Sequence, residues 1–190
     1  MLSAAMRKPL LVPAAMPPLS LQHAWYELVR VASFCSLAIT PGECGHDTLG
    51  VACAFATMAA LDAEHRVLVV NAKACAAPEP LASSAKGFSL LDLGQPGLGE
   101  TEIALVRMRP ILRELRRGTG GFTQVIVATD SPLVSAPALI TLRDVDACVL
   151  CVLLGQTRFA RARQTVEMIG RRRVVGSVTL RPCGDALRGG

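Results

Sequence analysis

Aromatic residues are scarce in this chain, which has one Trp, one Tyr and five Phe in 190 residues. No interleaving of aromatic and basic residues marks a nucleic-acid surface on which bases would stack. Charge is thin as well: 18% of residues are charged and 51% are apolar, so most segments expect burial in a core of Ala, Val and Leu. Long apolar runs are also missing. A membrane-spanning helix needs about 18 such residues, and the longest run, Leu49 to Leu61, is broken by Gly50 and Thr57, which suits a core helix. The opening "MLSAAMRKPLLVPAAMPPLS" is interrupted by Pro9, Pro13, Pro17 and Pro18, so a signal peptide is not expected. The expected location is cytoplasmic, with any association with the inner membrane made through a partner. The seven cysteines are odd in number and scattered, which excludes a fully paired disulfide framework and suits a reducing compartment. Cys148 and Cys151 form a CxxC, but inside the strand-like run "ACVLCVLL" they point to opposite faces and read as buried small hydrophobes.

No internal repeat is present, and the length suits one domain. The expected division is a Pro-rich flexible lead at 1–18, a folded domain at 19–181 and a short tail at 182–190. Five β-rich runs stand out: "FCSLAIT" (34–40), "RVLVVN" (66–71), "QVIVATD" (124–130), "ACVLCVLL" (147–154) and "VVGSVTL" (174–180). Each is nearly continuous in apolar residues, as in strands covered on both faces. Helical patterns separate them at about 48–62, 101–117, 135–143 and 156–170, after a first helix in "LSLQHAWYELVRVAS" with Ser20 as its expected N-cap. The long stretch 73–100 reads as a surface excursion with one short helix at "SLLDL". Alternating strands and helices predict a single-domain α/β fold: a doubly wound, mostly parallel sheet with helices on both faces. Ligands of such sheets bind beyond the carboxyl ends of the strands, here at Thr40, Asn71, Asp130 and Leu154.

The stretch "TPGECGHDTLG" (40–50) follows the first strand and opens a helix, the order of a phosphate-cradling loop. With "RVLVVNAK" (66–73), "VIVATDSPLV" (125–134), "DVDACVLCVLLGQTRFARARQTVEMI" and "RVVGSVTL", it resembles the deviant P-loop ATPases of the ParA/MinD type. The resemblance is nearest to the cytoplasmic domain of bacterial tyrosine kinases that regulate capsule and exopolysaccharide synthesis. It covers about residues 20–181, and it implies a P-loop NTPase-like fold and a loop formed by Gly42, Glu43, Gly45, His46, Asp47 and Thr48.

The departures from that family carry physical meaning. Those domains read PGEGKST or PGEGKTT, with a Lys for the phosphates and a hydroxyl for magnesium. Aligned on Gly45, with Cys44 inserted, His46 takes the Lys position and Asp47 the hydroxyl position. Asn71 and Lys73 replace two acidic residues of the second strand; a neutral amide and an ammonium cannot serve as metal ligands or bases. Asp130 alone survives of the acidic set and is the one candidate for a catalytic or metal role. The oligomer-forming E-x-x-R-x-x-R pattern is reduced to Glu27 and Arg30 in a shifted register, and Tyr26 is the lone tyrosine, so no C-terminal tyrosine cluster exists.

The expected function is a catalytically degenerate ATPase-like protein, a regulatory or scaffolding partner in an envelope-polysaccharide system, with a protein partner and with homo-oligomerisation open. Two alternatives stand beside it. One keeps ATP and magnesium in an ATPase or kinase-like enzyme with an atypical loop, Lys73 supplying the missing charge. The other is a ParA/MinD-like positioning protein that meets nucleic acid or an anionic membrane through Arg113, Arg116 and Arg117, through Arg158, Arg161 and Arg163, or through Arg171 to Arg173; solvated helix faces explain the same residues. Cys44, His46 and Asp47 also have metal-ligand chemistry, for which His23, His65 and Cys75 would be partners, and Cys44 beside His46 or Ser131 after Asp130 has nucleophile chemistry. A turn in which Asp47 caps the helix, and a turn at Ser131-Pro132, account for these residues without either.

Overall fold

The computed structural model describes residues 10–11, 16–43, 47–62, 66–73, 88–93, 108–118 and 121–181. Its elements, in chain order, are β1 (Leu10–Leu11), α1 (Leu19–Val31), β2 (Ser36–Pro41), α2 (Thr48–Ala59), β3 (Val67–Asn71) and β4 (Phe88–Asp92). They continue with α3 (Arg109–Arg116), β5 (Gln124–Ala128), α4 (Ala136–Asp144), β6 (Ala147–Leu153), α5 (Phe159–Ile169) and β7 (Val174–Leu180). The strands form one sheet in the order β1-β4-β3-β5-β2-β6-β7. All neighbouring pairs run parallel except β1 with β4. The expected doubly wound α/β sheet is what the chain forms.

Successive side chains of each strand point to opposite faces, so continuous apolar runs feed two cores. On one face Leu37, Ile39, Val67, Val69, Ile126 and Cys151 meet α1 and α2 through Trp25, Leu28, Val51 and Phe55. Trp25 sits edge-on to Phe34 with ring centres 6.0 Å apart and lies 5.6 Å from Phe55, so three of the chain's few aromatics form one cluster. On the other face Ala38, Leu68, Val70, Val125, Val127 and Cys148 meet α3, α4 and α5 through Leu112, Leu142 and Ile169. Cys148 and Cys151 thus lie on opposite faces.

Three details differ from the sequence-based expectation. The helix α1 begins at Leu19, with Pro18 as N-cap and no side-chain cap, so Ser20 lies inside the first turn. Pro17 precedes another proline and is held out of helical geometry, and Pro18 itself is extended (ψ 144°), so Leu19 is the first helical residue. The run "SLLDL" is no helix: Phe88–Asp92 is strand β4, paired in parallel with β3. Five residues give too little helix to offset nucleation, whereas the edge of β3 offers hydrogen bonds at once. Finally, Leu10–Leu11, within the expected lead, pairs with β4. Helix α3 is seen over Arg109–Arg116; the start of the expected 101–117 helix is outside the described residues.

Candidate functional site

The chain leaves β2 toward β3 on one side of the sheet, past β5, while β6 flanks β2 on the other. This reversal places a crevice at the carboxyl end of β2, where doubly wound sheets hold ligands. Gly42, Glu43, Asp47, Asn71, Lys73 and the turn after β5 all lie at this rim. Cys44, Gly45 and His46, at the centre of the expected loop, are outside the described residues, as are His65 and Cys75.

Gly42 is held by α5 and β6. Its N–H donates to Cys151 O (2.8 Å) and its carbonyl accepts the Thr165 hydroxyl (3.1 Å). A Cβ there would lie 3.1 Å from Thr157 Cγ2 and 3.4 Å from Ala162 Cβ. A side chain at this position would crowd both neighbours. Glu43 turns the same way, its Oε2 accepting the backbone N–H of Arg158, the N-cap of α5, at 3.0 Å. A carboxylate at a helix N-terminus is favourably placed against the macrodipole.

Asp47 is the N-cap of α2: its Oδ1 accepts the N–H of Gly50 at 2.9 Å, an interaction worth about 1 kcal/mol. Thr48, the first residue of α2, is fully buried and its hydroxyl donates to Thr129 O at 3.2 Å. Thr129 in turn donates its N–H (3.0 Å) and its hydroxyl (3.3 Å) to Ile39 O. The hydroxyl of Thr40 donates to Asp130 O at 3.1 Å. These bonds sew β2, α2 and the end of β5 together below the loop.

Asn71, buried at the end of β3, donates from Nδ2 to Asp92 Oδ1 (3.3 Å), and its Oδ1 accepts the Lys73 N–H (3.4 Å). Asp92 is a rim carboxylate missed when "SLLDL" was read as helix. An acidic residue closing an apolar run, as in "VIVATD", was the signal available. Asp130 is half-buried beside Ser131, whose carbonyl accepts the N–H groups of Val134 and Ser135 in the expected turn.

Burial, with the Asp47 charge adding to it, pushes the thiols of Cys53 and Cys151 up to about 12; Lys73 opposes this at Cys151. Asp47 and Lys73 therefore act on the same buried thiol from the rim. Burial alone dominates at Cys148, also raised to about 12. None of these three thiols is set up as a nucleophile.

The remaining sequence candidates lie elsewhere. His23 is exposed on α1, and among the described residues no three His, Cys, Asp or Glu side chains gather as a metal set. Glu27 and Arg30 pair with each other at 2.7 Å, which holds the Glu27 carboxyl below its usual value. Of the arginine groups, Arg163 and Arg171 pair with Glu167 on α5 (2.9 and 3.6 Å), Arg116 reaches Asp146 (3.7 Å), and Arg173 donates to Val145 O (2.6 Å).

No family model matches this chain, and no curated protein does. Solved structures do match. The kinase domain of the Escherichia coli tyrosine kinase ETK superposes with a TM-score of 0.62 at 17% identity, over 81% of this chain and 71% of that one. The VpsO kinase domain gives a TM-score of 0.69 at 14% identity, over 86% and 93%. The ParA family ATPase from Chlorobium tepidum gives 0.53 at 11% identity, over 82% and 76%. The chain therefore has the P-loop NTPase-type α/β fold that tyrosine kinase domains and ParA ATPases share.

Proposed function

We propose that this chain is a catalytically degenerate member of that fold, acting as a regulatory or scaffolding partner in a bacterial exopolysaccharide or capsule system. The observation that carries the reading is the position of Asp47. The N-terminus of α2 is where a phosphate would find free N–H groups and a favourable dipole. Asp47 already directs its carboxylate onto that terminus, bonded to Gly50 N–H. A second anion there would meet a like charge; at about 4 Å and an effective dielectric near 20 this repulsion is at most about 4 kcal/mol, and solvent around the exposed Asp47 reduces it. Thr48 has donated its hydroxyl to Thr129 O, and the carboxylate expected at the end of β3 is the amide of Asn71. The residues present do not fit Mg-ATP. The pathway rests on the sequence resemblance.

Calorimetry of the full chain with Mg-ATP and with Mg-ADP tests the loss of nucleotide binding, for which no heat of binding is expected at micromolar ligand. Low-micromolar binding abolished by Gly45→Val or Asp130→Ala refutes it. In-cell crosslinking followed by mass spectrometry tests the partner: polysaccharide assembly components are expected, and recovery of a chromosome-partitioning complex contradicts the pathway.

One observation favours a second reading. Lys73 follows β3 at the same rim, its N–H bonded to Asn71 Oδ1, so a cation stands at the ligand end of the sheet where the loop has none. A nucleotide held by Lys73 would yield turnover lost in Lys73→Ala and kept in His46→Ala.

A further inference from the structure

The sheet ends in β7, which pairs with β6 along one side and, among the described residues, with no strand along the other. Leu154 N–H donates to Leu180 O (2.9 Å), so Leu180 turns its backbone groups toward β6. Alternate residues of a parallel strand bond the same neighbour, so Val178 does likewise, while Ser177 and Thr179 direct N–H and C=O outward. Both of these residues are exposed. The register shift opposite Cys148 and Val149 falls before Gly176, which leaves the stretch 176–180 regular.

Proteins blunt such edges with charges or a proline placed in the strand. The run "VVGSVTL" of β7 carries neither. Its charges stand outside it. Arg172 before the strand and Arg181 after it are exposed and have no ion pair among the described residues. Their neighbours are engaged, Arg171 with Glu167 (3.6 Å) and Arg173 with Val145 O (2.6 Å). Beside the edge, between β7 and α1, lies a depression of about 220 Å³. Leu28, Val31, Val175 and Val178 form its apolar walls, and its polar lining residues are Ser177 and Glu27, the latter held by Arg30 at 2.7 Å.

The charges select among occupants. A second copy of the edge brings arginine to arginine: antiparallel pairing about Ser177 sets Arg173 opposite Arg181 of the other copy, and in-register parallel pairing sets each arginine beside its equivalent. Like charges opposed across strands are destabilising. An extended segment with acidic ends and an uncharged centre instead meets Arg172 and Arg181 with opposite charge, while Glu27 disfavours an acid at the centre. We propose that β7 takes up such a segment of a partner protein as a further strand. Ser177 and Thr179 exchange main-chain hydrogen bonds with it, one of its apolar side chains fills the depression against Leu28 and Val31, and its terminal carboxylates pair with Arg172 and Arg181. The inference rests on the sheet edge alone and holds whichever reading of the nucleotide loop is correct.

The full-length protein is titrated, by fluorescence anisotropy, with labelled Asp-Glu-Val-Thr-Val-Ile-Val-Asp-Glu and with the same peptide carrying lysine at every acidic position. The acidic peptide is expected to bind saturably and about tenfold more tightly than the basic one. Reversing both arginines, Arg172→Glu with Arg181→Glu, should invert that preference. N-methylation of one alternate set of peptide residues should abolish binding while the other set is tolerated, because only one set faces β7. Thr179→Pro removes an outward N–H and no ladder bond, so it should fold and lose the peptide. If that variant does not unfold cooperatively, the two N-methylated peptides carry the same test on the unmodified chain. No saturable binding up to about 1 mM, equal affinity for the acidic and basic peptides, a preference unmoved by the double reversal, or tolerance of both N-methylated sets overturns the proposal. So does a peptide-free dimer in sedimentation that Thr179→Pro dissociates, since a second copy then holds the edge.

Discussion

Replacing Gly42 by alanine separates two explanations of the glycine that follows β2. If it exists so that a phosphate can approach the backbone, the substitution alters ligand binding and leaves folding alone. If α5 requires it, the cost falls on stability. The new Cβ would sit 3.1 Å from Thr157 Cγ2, 3.4 Å from Ala162 Cβ and 3.4 Å from Cys151 O. Carbon atoms prefer about 3.5–4.0 Å, so the methyl of Thr157 must yield by a few tenths of an ångström. Overpacking of this kind costs about 1–3 kcal/mol, and in a domain of this size the melting temperature should fall by about 3–10 °C. Thr157→Ser supplies the control, since it deletes Cγ2 and retains the Oγ that accepts Leu153 N–H at 2.8 Å. A double-mutant cycle read by urea unfolding should show the two changes coupled by about 1 kcal/mol, the serine relieving most of the alanine's cost. An unaltered midpoint in Gly42→Ala, or a loss that Thr157→Ser does not relieve, refutes the packing explanation.

Two further outcomes are expected of the scaffold. The folded-state thiols of Cys53, Cys148 and Cys151 are raised from 9.0 to about 12, so between those values the unfolded chain loses protons that the folded chain keeps. Stability is fully present below pH 9 and falls above it by about 1.4 kcal/mol per pH unit for each thiol. Urea unfolding on either side of pH 9 should show a shallower fall in Cys151→Ala; identical slopes contradict the assignment. Asp146 Oδ2 accepts the N–H groups of Cys35 (3.1 Å) and Ser36 (2.9 Å) and the Ser36 hydroxyl (2.8 Å), which pins the start of β2. Asp146→Ala should cost about 2–4 kcal/mol in urea unfolding, and a loss below about 1 kcal/mol would show the contacts to be incidental.

The strands were legible wherever burial on both faces left a run of Val, Ile, Leu and Ala. "VLVVN" and "QVIVA" appear as β3 and β5 in the expected segments. The helix caps were legible only in part. Asp47 caps α2 as its place before "TLGVACAFATMAAL" suggested, whereas Ser20 lost its position to the geometry imposed by two adjacent prolines. "SLLDL" was ambiguous in principle, because five apolar-rich residues satisfy a helix turn and a strand equally until a neighbouring edge is known.

At the rim the same division holds. The chemistry of Asp47, Asn71 and Lys73 is written in their identities, and so are the absence of a Lys in the loop and the loss of paired carboxylates. The sequence could not tell that Asn71 would bond Asp92 across β3 and β4, that Glu43 would reach the N-cap of α5, or that Gly42 would lie under Thr157 and Ala162. Local composition and periodicity determine which segments are buried and how they begin, because those depend on a residue and its near neighbours in the chain. Strand order, and with it every contact across about 20 to 115 residues, depends on which edges and faces meet, and only the folded sheet decides that.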